Sequence, residues 1–167
     1  MLETERLRLR PLELVDEDAL FAVLGDAVAM QWYPQALTRE ETRGWIERNR
    51  ARFAEFGGGL FAMELRGELI GDCGPTYHEI EGRQELEVGY HVRRDLWGRG
   101  FATEAARAVM EFAFARWRPY RLISLIRPEN LQSRRVAEKN GLALDKVIFW
   151  RGYDTCIYQM RAEDWPG

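Results

Sequence analysis

Val88-Gly89-Tyr90-His91-Val92-Arg93-Arg94-Asp95-Leu96-Trp97-Gly98-Arg99-Gly100-Phe101-Ala102-Thr103-Glu104-Ala105 changes character twice. It begins as a strand-like run ending at Val92, crosses a charged, glycine-bearing loop from Arg93 to Gly100, and opens a helix that runs from Phe101 to Trp117. Polar residues of that helix keep to a stripe at Thr103, Arg107 and Glu111, and the rest is almost wholly apolar, so it is expected to be the most buried helix. A strand, a glycine loop and a buried helix in succession leave free backbone N–H groups, and the positive end of a helix dipole, where an anion can sit. Gly98, Gly100 and the small Ala102 let a phosphate approach the main chain, although glycines before a helix also serve merely to turn it.

The flanking segments supply a mixed order. Leu7 to Pro11 alternates as a short strand, and Asp16 to Leu24 carries apolar residues at helical spacing. Thr38 with Glu41 three residues later reads as a capping box, the apolar face continues through Trp45, Ile46 and Phe53, and Gly57-Gly58-Gly59 stops the helix. Leu60 to Leu65, Glu68 to Tyr77 and Glu85 to Val92 read as an antiparallel meander, the last two separated by the polar stretch Glu79 to Arg83. Beyond Trp117, Leu122 to Ile126 is a strand, and Arg127-Pro128-Glu129-Asn130 leads into a helix ended by Asn140-Gly141. Two strands, about Leu144 to Trp150 and Thr155 to Met160, close the chain. The expectation is a single α/β domain over residues 1–167, a mixed and mostly antiparallel sheet with the order β-α-α-β-β-β-α-β-α-β-β.

Composition narrows the function. At 167 residues, with 46% hydrophobic and 31% charged side chains, the chain can bury one full core without cross-links. A net charge of -3 removes the general attraction that drives nucleic-acid binding, and no window approaches the roughly 20 apolar residues of a membrane span. No nucleic-acid or membrane partner is expected, and a cytoplasmic protein follows by default. Cys73 and Cys156 are isolated and His78 and His91 lie in separate strand-like runs, so no metal site and no thiolate nucleophile is expected. Gly98-Arg99-Gly100-Phe101-Ala102-Thr103 half resembles a dinucleotide fingerprint, but Arg93 to Trp97 separate it from the strand and Thr103 stands at the last glycine position.

Taken together, these motifs resemble the GNAT superfamily of acyl-CoA-dependent N-acyltransferases, and within it the branch of ribosomal-protein N-terminal alanine acetyltransferases. The resemblance runs from Glu3-Thr4-Glu5-Arg6-Leu7-Arg8-Leu9-Arg10 through Glu87-Val88-Gly89-Tyr90 and the Trp97–Ala105 segment to Asn130–Gly141. It implies acetyl-CoA as cosubstrate, no metal, and direct transfer of acetyl to a primary amine of a protein N-terminus or small molecule, by a monomer or homodimer. A non-catalytic acyl-CoA-binding or sensing module is the alternative. His91 and Val92 would offer backbone atoms to the pantetheine arm; Trp97, Gly98, Arg99, Gly100, Phe101, Ala102 and Thr103 would hold the pyrophosphate, and Asn130 would cap its helix and meet the coenzyme. The family's loop pattern begins with Gln or Arg where this chain has Trp97, and a tyrosine that often serves as general acid falls at Ala137. Attack by a neutral amine profits from a base. Glu87 is the first candidate and Glu85 the second, each equally readable as a solvated strand carboxylate, and Ser133 could reach the departing sulfur. Arg134, Arg135 or Lys139 could meet a phosphate, and Trp32, Tyr33, Phe149 and Trp150 could line an acceptor pocket or simply pack.

Overall fold

The computed structural model describes residues 1–167. The elements are β1 (Leu2–Glu3), β2 (Leu7–Pro11), α1 (Glu17–Leu24), α2 (Arg39–Phe56), β3 (Phe61–Leu65), β4 (Glu68–Ile80), β5 (Arg83–Val92), α3 (Phe101–Trp117), β6 (Arg121–Ile126), α4 (Leu131–Lys139), β7 (Ala143–Trp150) and β8 (Tyr153–Arg161). This is the expected order with a two-residue strand added at the start, too short to leave a period in the sequence. The strands form one sheet in the order β1-β2-β3-β4-β5-β6-β8-β7, antiparallel everywhere except between β5 and β6. No helix is long and apolar enough to cross a membrane.

Local chemistry sets the joints. The Thr38 hydroxyl accepts the Glu41 N–H at 3.1 Å while the Glu41 carboxylate accepts the Thr38 N–H at 2.7 Å, and Gly57 ends α2 in the left-handed region at φ 72°. The β4–β5 connection is shorter than the polar stretch suggested: Glu81 and Gly82 alone make the turn, both with positive φ. Ile80 is buried and extends β4, which polarity around it concealed. Pro75 sits where β4 has run past the end of β3 pairing at Cys73, so its missing N–H breaks no ladder bond.

Helices cover both faces. α3 buries Phe101, Ala105, Ala106, Val109, Met110, Ala113 and Phe114 in the larger cluster with Leu9, Met63, Val88 and Leu122. On the opposite face Leu20, Val23 and Leu24 of α1 and Ile46 of α2 pack with Ala62 and Leu69. One irregularity positions the site. β5 and β6 share a single bridging pair, Glu87 with Ile123, and then part. Side chains span the opening: the Ser124 hydroxyl donates to the Val88 carbonyl at 3.0 Å, and the Tyr90 hydroxyl donates to the Ser133 carbonyl of α4 at 3.1 Å.

Candidate active site

The parting of β5 from β6 opens a cleft of about 370 Å³ that joins the two faces of the sheet. Register decides what β5 offers to it. Arg83 pairs with Ile80 across a two-residue turn and the Arg93 N–H donates to the Ile70 carbonyl at 2.7 Å, so by antiparallel alternation the odd-numbered residues of β5 spend their main chain on β4. Tyr90 and Val92 turn theirs to the opening. This corrects one expectation: the main chain of His91 is committed to Asp72, and His91 meets the cleft with its ring, while Tyr90 joins Val92 at the edge.

Next comes the glycine loop. Trp97 donates from Nε1 to the Val92 carbonyl at 2.8 Å, so the residue that departs from the family pattern fastens the loop to the end of β5. Gly98 and Gly100 have φ of 74° and 85°, where L side chains are strained, and nothing stands within 4 Å of a side chain built at Gly98. Gly100 caps α3 without a side-chain bond, leaving the first-turn N–H groups to the cleft. The helix start is fixed from behind: Glu104 accepts from the Thr4 hydroxyl at 2.5 Å, the Arg6 N–H at 2.8 Å and Arg6 Nε at 2.7 Å, while Arg6 Nη1 donates to the Arg99 carbonyl. Burial opposes the Glu104 charge, and these bonds outweigh it, so its carboxyl lies below the usual range. The N-terminal motif thus serves the loop without entering it.

α4 forms the other wall. Asn130 Oδ1 accepts the Ser133 N–H at 3.2 Å, a normal cap, and both residues line the cleft with Arg135 and Lys139. Arg134 is turned away and donates to the Tyr158 hydroxyl and the Pro128 carbonyl. Ala137 is buried in the core at 3% exposure, so a tyrosine there would have to grow into packed side chains.

Of the sequence-marked residues, Glu85, Glu87, Arg99, Arg134, Phe149 and Trp150 lie outside this lining and the others belong to it. Glu87 lies beside it, its carboxylate 2.5 Å from His78 Nε2. Glu85 is drawn elsewhere: it is 2% exposed and bound by Arg121 at 2.6 Å and by the Tyr120 hydroxyl, and these partners overcome burial to hold its carboxyl low. Of the four aromatic candidates, Trp32 and Tyr33 line the cleft. Trp150 packs edge-on against His78 at 5.3 Å, and Phe149 is 76% exposed. Crowding of its hydroxyl by the surrounding protein, although the residue as a whole is 43% exposed, and then the negative charges of Glu87 and Asp72 push the Tyr33 phenol above its ordinary range. Burial pushes up the thiols of Cys73 and Cys156, the opposite of what a nucleophile needs.

Residues 6–143 match the family model described as an acetyltransferase (GNAT) domain. The chain belongs to the GNAT acetyltransferase family. Among relatives, the Bacillus subtilis (strain 168) protein YkkB, itself uncharacterized, is 34% identical over 96% of this chain and 95% of its own length. The N-acetyltransferase YnaD of the same organism, also uncharacterized, is 29% identical over 97% of each. Of solved structures, an acetyltransferase from Agrobacterium tumefaciens str. C58 superposes with a TM-score of 0.82 at 30% identity, covering 96% of this chain and 93% of that one. RimL, a ribosomal L7/L12 alpha-N-protein acetyltransferase solved with coenzyme A, has the same fold at a TM-score of 0.79 and 21% identity, covering 96% and 97%.

Within this GNAT frame three residues of the site escaped the sequence reading. Tyr90 carries no signal of its own beyond the strand motif, yet it lines the cleft and bridges β5 to α4. Asp72 and Trp45 were read as strand and helix-face residues. The available signal was Asp72 itself, an acid in the middle of the apolar run Leu69-Ile70-Gly71-Asp72-Cys73, where a buried carboxylate requires partners.

Proposed function

We propose that this acetyltransferase moves an acetyl group from acetyl-CoA to a primary amine, of a protein N-terminus or of a small molecule, by direct attack of the amine on the thioester. The observation that carries the reading is the parting of β5 from β6 beside an uncapped, glycine-led helix start. Coenzyme A has two unlike halves, and the cleft has a surface suited to each. The amides of its pantetheine arm can pair with the strand edge at Tyr90 and Val92 as a peptide does in β-augmentation. Its pyrophosphate can take the N–H groups of the Gly98–Thr103 turn, and Arg135 and Lys139 add positive charge on the facing wall. The RimL complex with coenzyme A supports this choice of cosubstrate.

When bound, acetyl-CoA supplies an activated acyl carbon. The chain's own residues hold it and receive the amine: Trp32 and Tyr33 form an aromatic wall at the acceptor side, where desolvation favours the neutral, nucleophilic form of an amine over its ammonium. Ser133, at the start of α4, stands to stabilise the departing sulfur. Glu87 places a negative charge beside the acceptor side. The experiment is a thiol-release assay with acetyl-CoA over N-terminal peptides, polyamines, amino acids and amino sugars, followed by mass spectrometry. Amine-dependent release with one acetyl group on the amine is expected; an acetyl group retained on the protein would contradict direct transfer.

A further inference from the structure

Asp72 lies mid-strand in β4 with no exposed surface, and it accepts two hydrogen bonds. Trp45 Nε1 donates to one oxygen at 2.8 Å, and His91 Nδ1 meets the other at 2.7 Å. An indole N–H can only donate, and a carboxylate only accepts, so the proton between Asp72 and His91 belongs to Nδ1. The neutral imidazole then carries its lone pair on Nε2, the nitrogen on the edge of the ring away from Asp72. That atom is buried and has no hydrogen-bond partner, the one buried side-chain nitrogen or oxygen in the molecule so left. An unpaired buried polar atom costs about 1–3 kcal/mol, so its persistence asks for a partner that arrives later. The His91 side chain is 8% exposed and lines the cleft, with the Tyr33 ring 5.0 Å away and the Trp45 ring edge-on at 5.7 Å.

We infer that His91 Nε2 is the proton acceptor for the attacking amine, held in that tautomer by Asp72 and Trp45 as positioning residues. The inference deepens the acetyl-transfer reading and rests on it. As the amine nitrogen bonds to the acyl carbon and the C–S bond breaks, the nitrogen's proton passes to Nε2; the thiolate leaves with the C–S electron pair and is protonated by the imidazolium or by solvent. Glu87, four residues earlier on the same face of β5, is engaged by His78 and lies outside the cleft lining. His91 is inside it. Tyr33, 43% exposed between α1 and α2, packs its ring 5.0 Å from that of His91 at the cleft. The groups around His91 are Asp72 from β4, the Tyr33 ring, and Trp45 from α2, whose own ring carries Arg48 at 5.9 Å, with Glu87 four residues away on the same face of β5.

Two readouts test the inference. Long-range proton–nitrogen NMR reports the tautomer without any acceptor, because the chain has two histidines and His78→Gln removes the signals of one. With the ring neutral, a bare Nε2 and a protonated Nδ1 are expected; a protonated Nε2 overturns the inference even if no acceptor has been found. In the transfer assay, His91→Asn keeps an amide N–H for Asp72 and removes the lone pair. It should lower kcat by about a hundredfold or more, leave KM for acetyl-CoA near wild type, and abolish the fall in rate at low pH, with an unchanged melting temperature confirming the fold. Wild-type kcat and pH profile in His91→Asn would overturn the inference. Failure of the wild-type protein to acetylate any amine would instead count against the proposed function.

Discussion

Two histidine–carboxylate pairs sit on one face of β4 and β5, built from the same parts in opposite order. His78 of β4 meets Glu87 of β5 at 2.5 Å, and His91 of β5 meets Asp72 of β4 at 2.7 Å. The first pair keeps 12% and 18% of its side chains exposed, so water can complete its hydrogen bonds. The second keeps 8% and 0%, and there the unpaired nitrogen has no such recourse. What separates them is the parting of β5 from β6 after Glu87, which puts His91 on the cleft and leaves Glu87 beside it. A histidine and an acid do not make a site by being adjacent; an unpaired nitrogen on a residue that lines a cleft is the additional requirement.

Stability should separate the pairs most. Asp72→Ala leaves the Trp45 and His91 N–H donors unpaired and is expected to cost about 2–4 kcal/mol in urea unfolding, whereas Glu87→Ala, with partly exposed partners, should cost no more than about 1 kcal/mol. Equal losses would erase the distinction. Turnover sharpens it further. Glu87→Gln removes the charge beside the acceptor wall while keeping size, and its effect on kcat should stay below about tenfold, against about a hundredfold for His91→Asn. A Glu87→Gln loss as large as that of His91→Asn would hand the proton to Glu87. Ser133→Ala bears on the opposite end of the reaction and should slow turnover by roughly tenfold, with coenzyme affinity unchanged, because a thiolate is a tolerable leaving group at a thiol pKa near 8.5.

Acid lability gives the smallest effect, and it belongs to neither pair. Glu85 and Glu104 have folded carboxyls held below their unfolded range, so each adds stability above an unfolded value of about 4.3. That contribution is lost as pH falls through the folded values. Unfolding followed between pH 7 and pH 3 should therefore show this part of the stability lost mainly below about pH 4.3, with Arg121→Ala, which leaves Glu85 without its cation, removing part of the drop.

Periodic and capped segments were legible because their signals are local. α3 carries its apolar faces and glycine start in consecutive residues, and Thr38 with Glu41 announces α2 within four. The loop and helix starts that line the cleft were legible for the same reason. Long-range pairings were not. The register that turns the His91 main chain to β4 depends on a two-residue turn at Glu81-Gly82 that the neighbouring polar residues masked. The partners of Asp72 come from positions 27 residues before it, in α2, and 19 after it, in β5, and no spacing rule links such distances. Glu85 and Glu87 look alike in sequence. Only the arrival of Arg121 from β6 shows that Glu85 is engaged in an ion pair.

The claim on which the rest depends is that the opening between β5 and β6, ending at the Gly98–Thr103 turn, holds acetyl-CoA. Calorimetric titration of acetyl-CoA into wild type and Gly100→Val tests it most directly. Valine at φ 85° strains the backbone by roughly 1–2 kcal/mol, which the fold should survive, and its Cβ comes within 3.3 Å of Arg6 Nη2, so it disturbs the turn whose main chain the pyrophosphate must approach. The account predicts one acetyl-CoA site in the wild-type protein and a loss of most of that binding in a folded Gly100→Val variant, whereas wild-type affinity in the variant would contradict it.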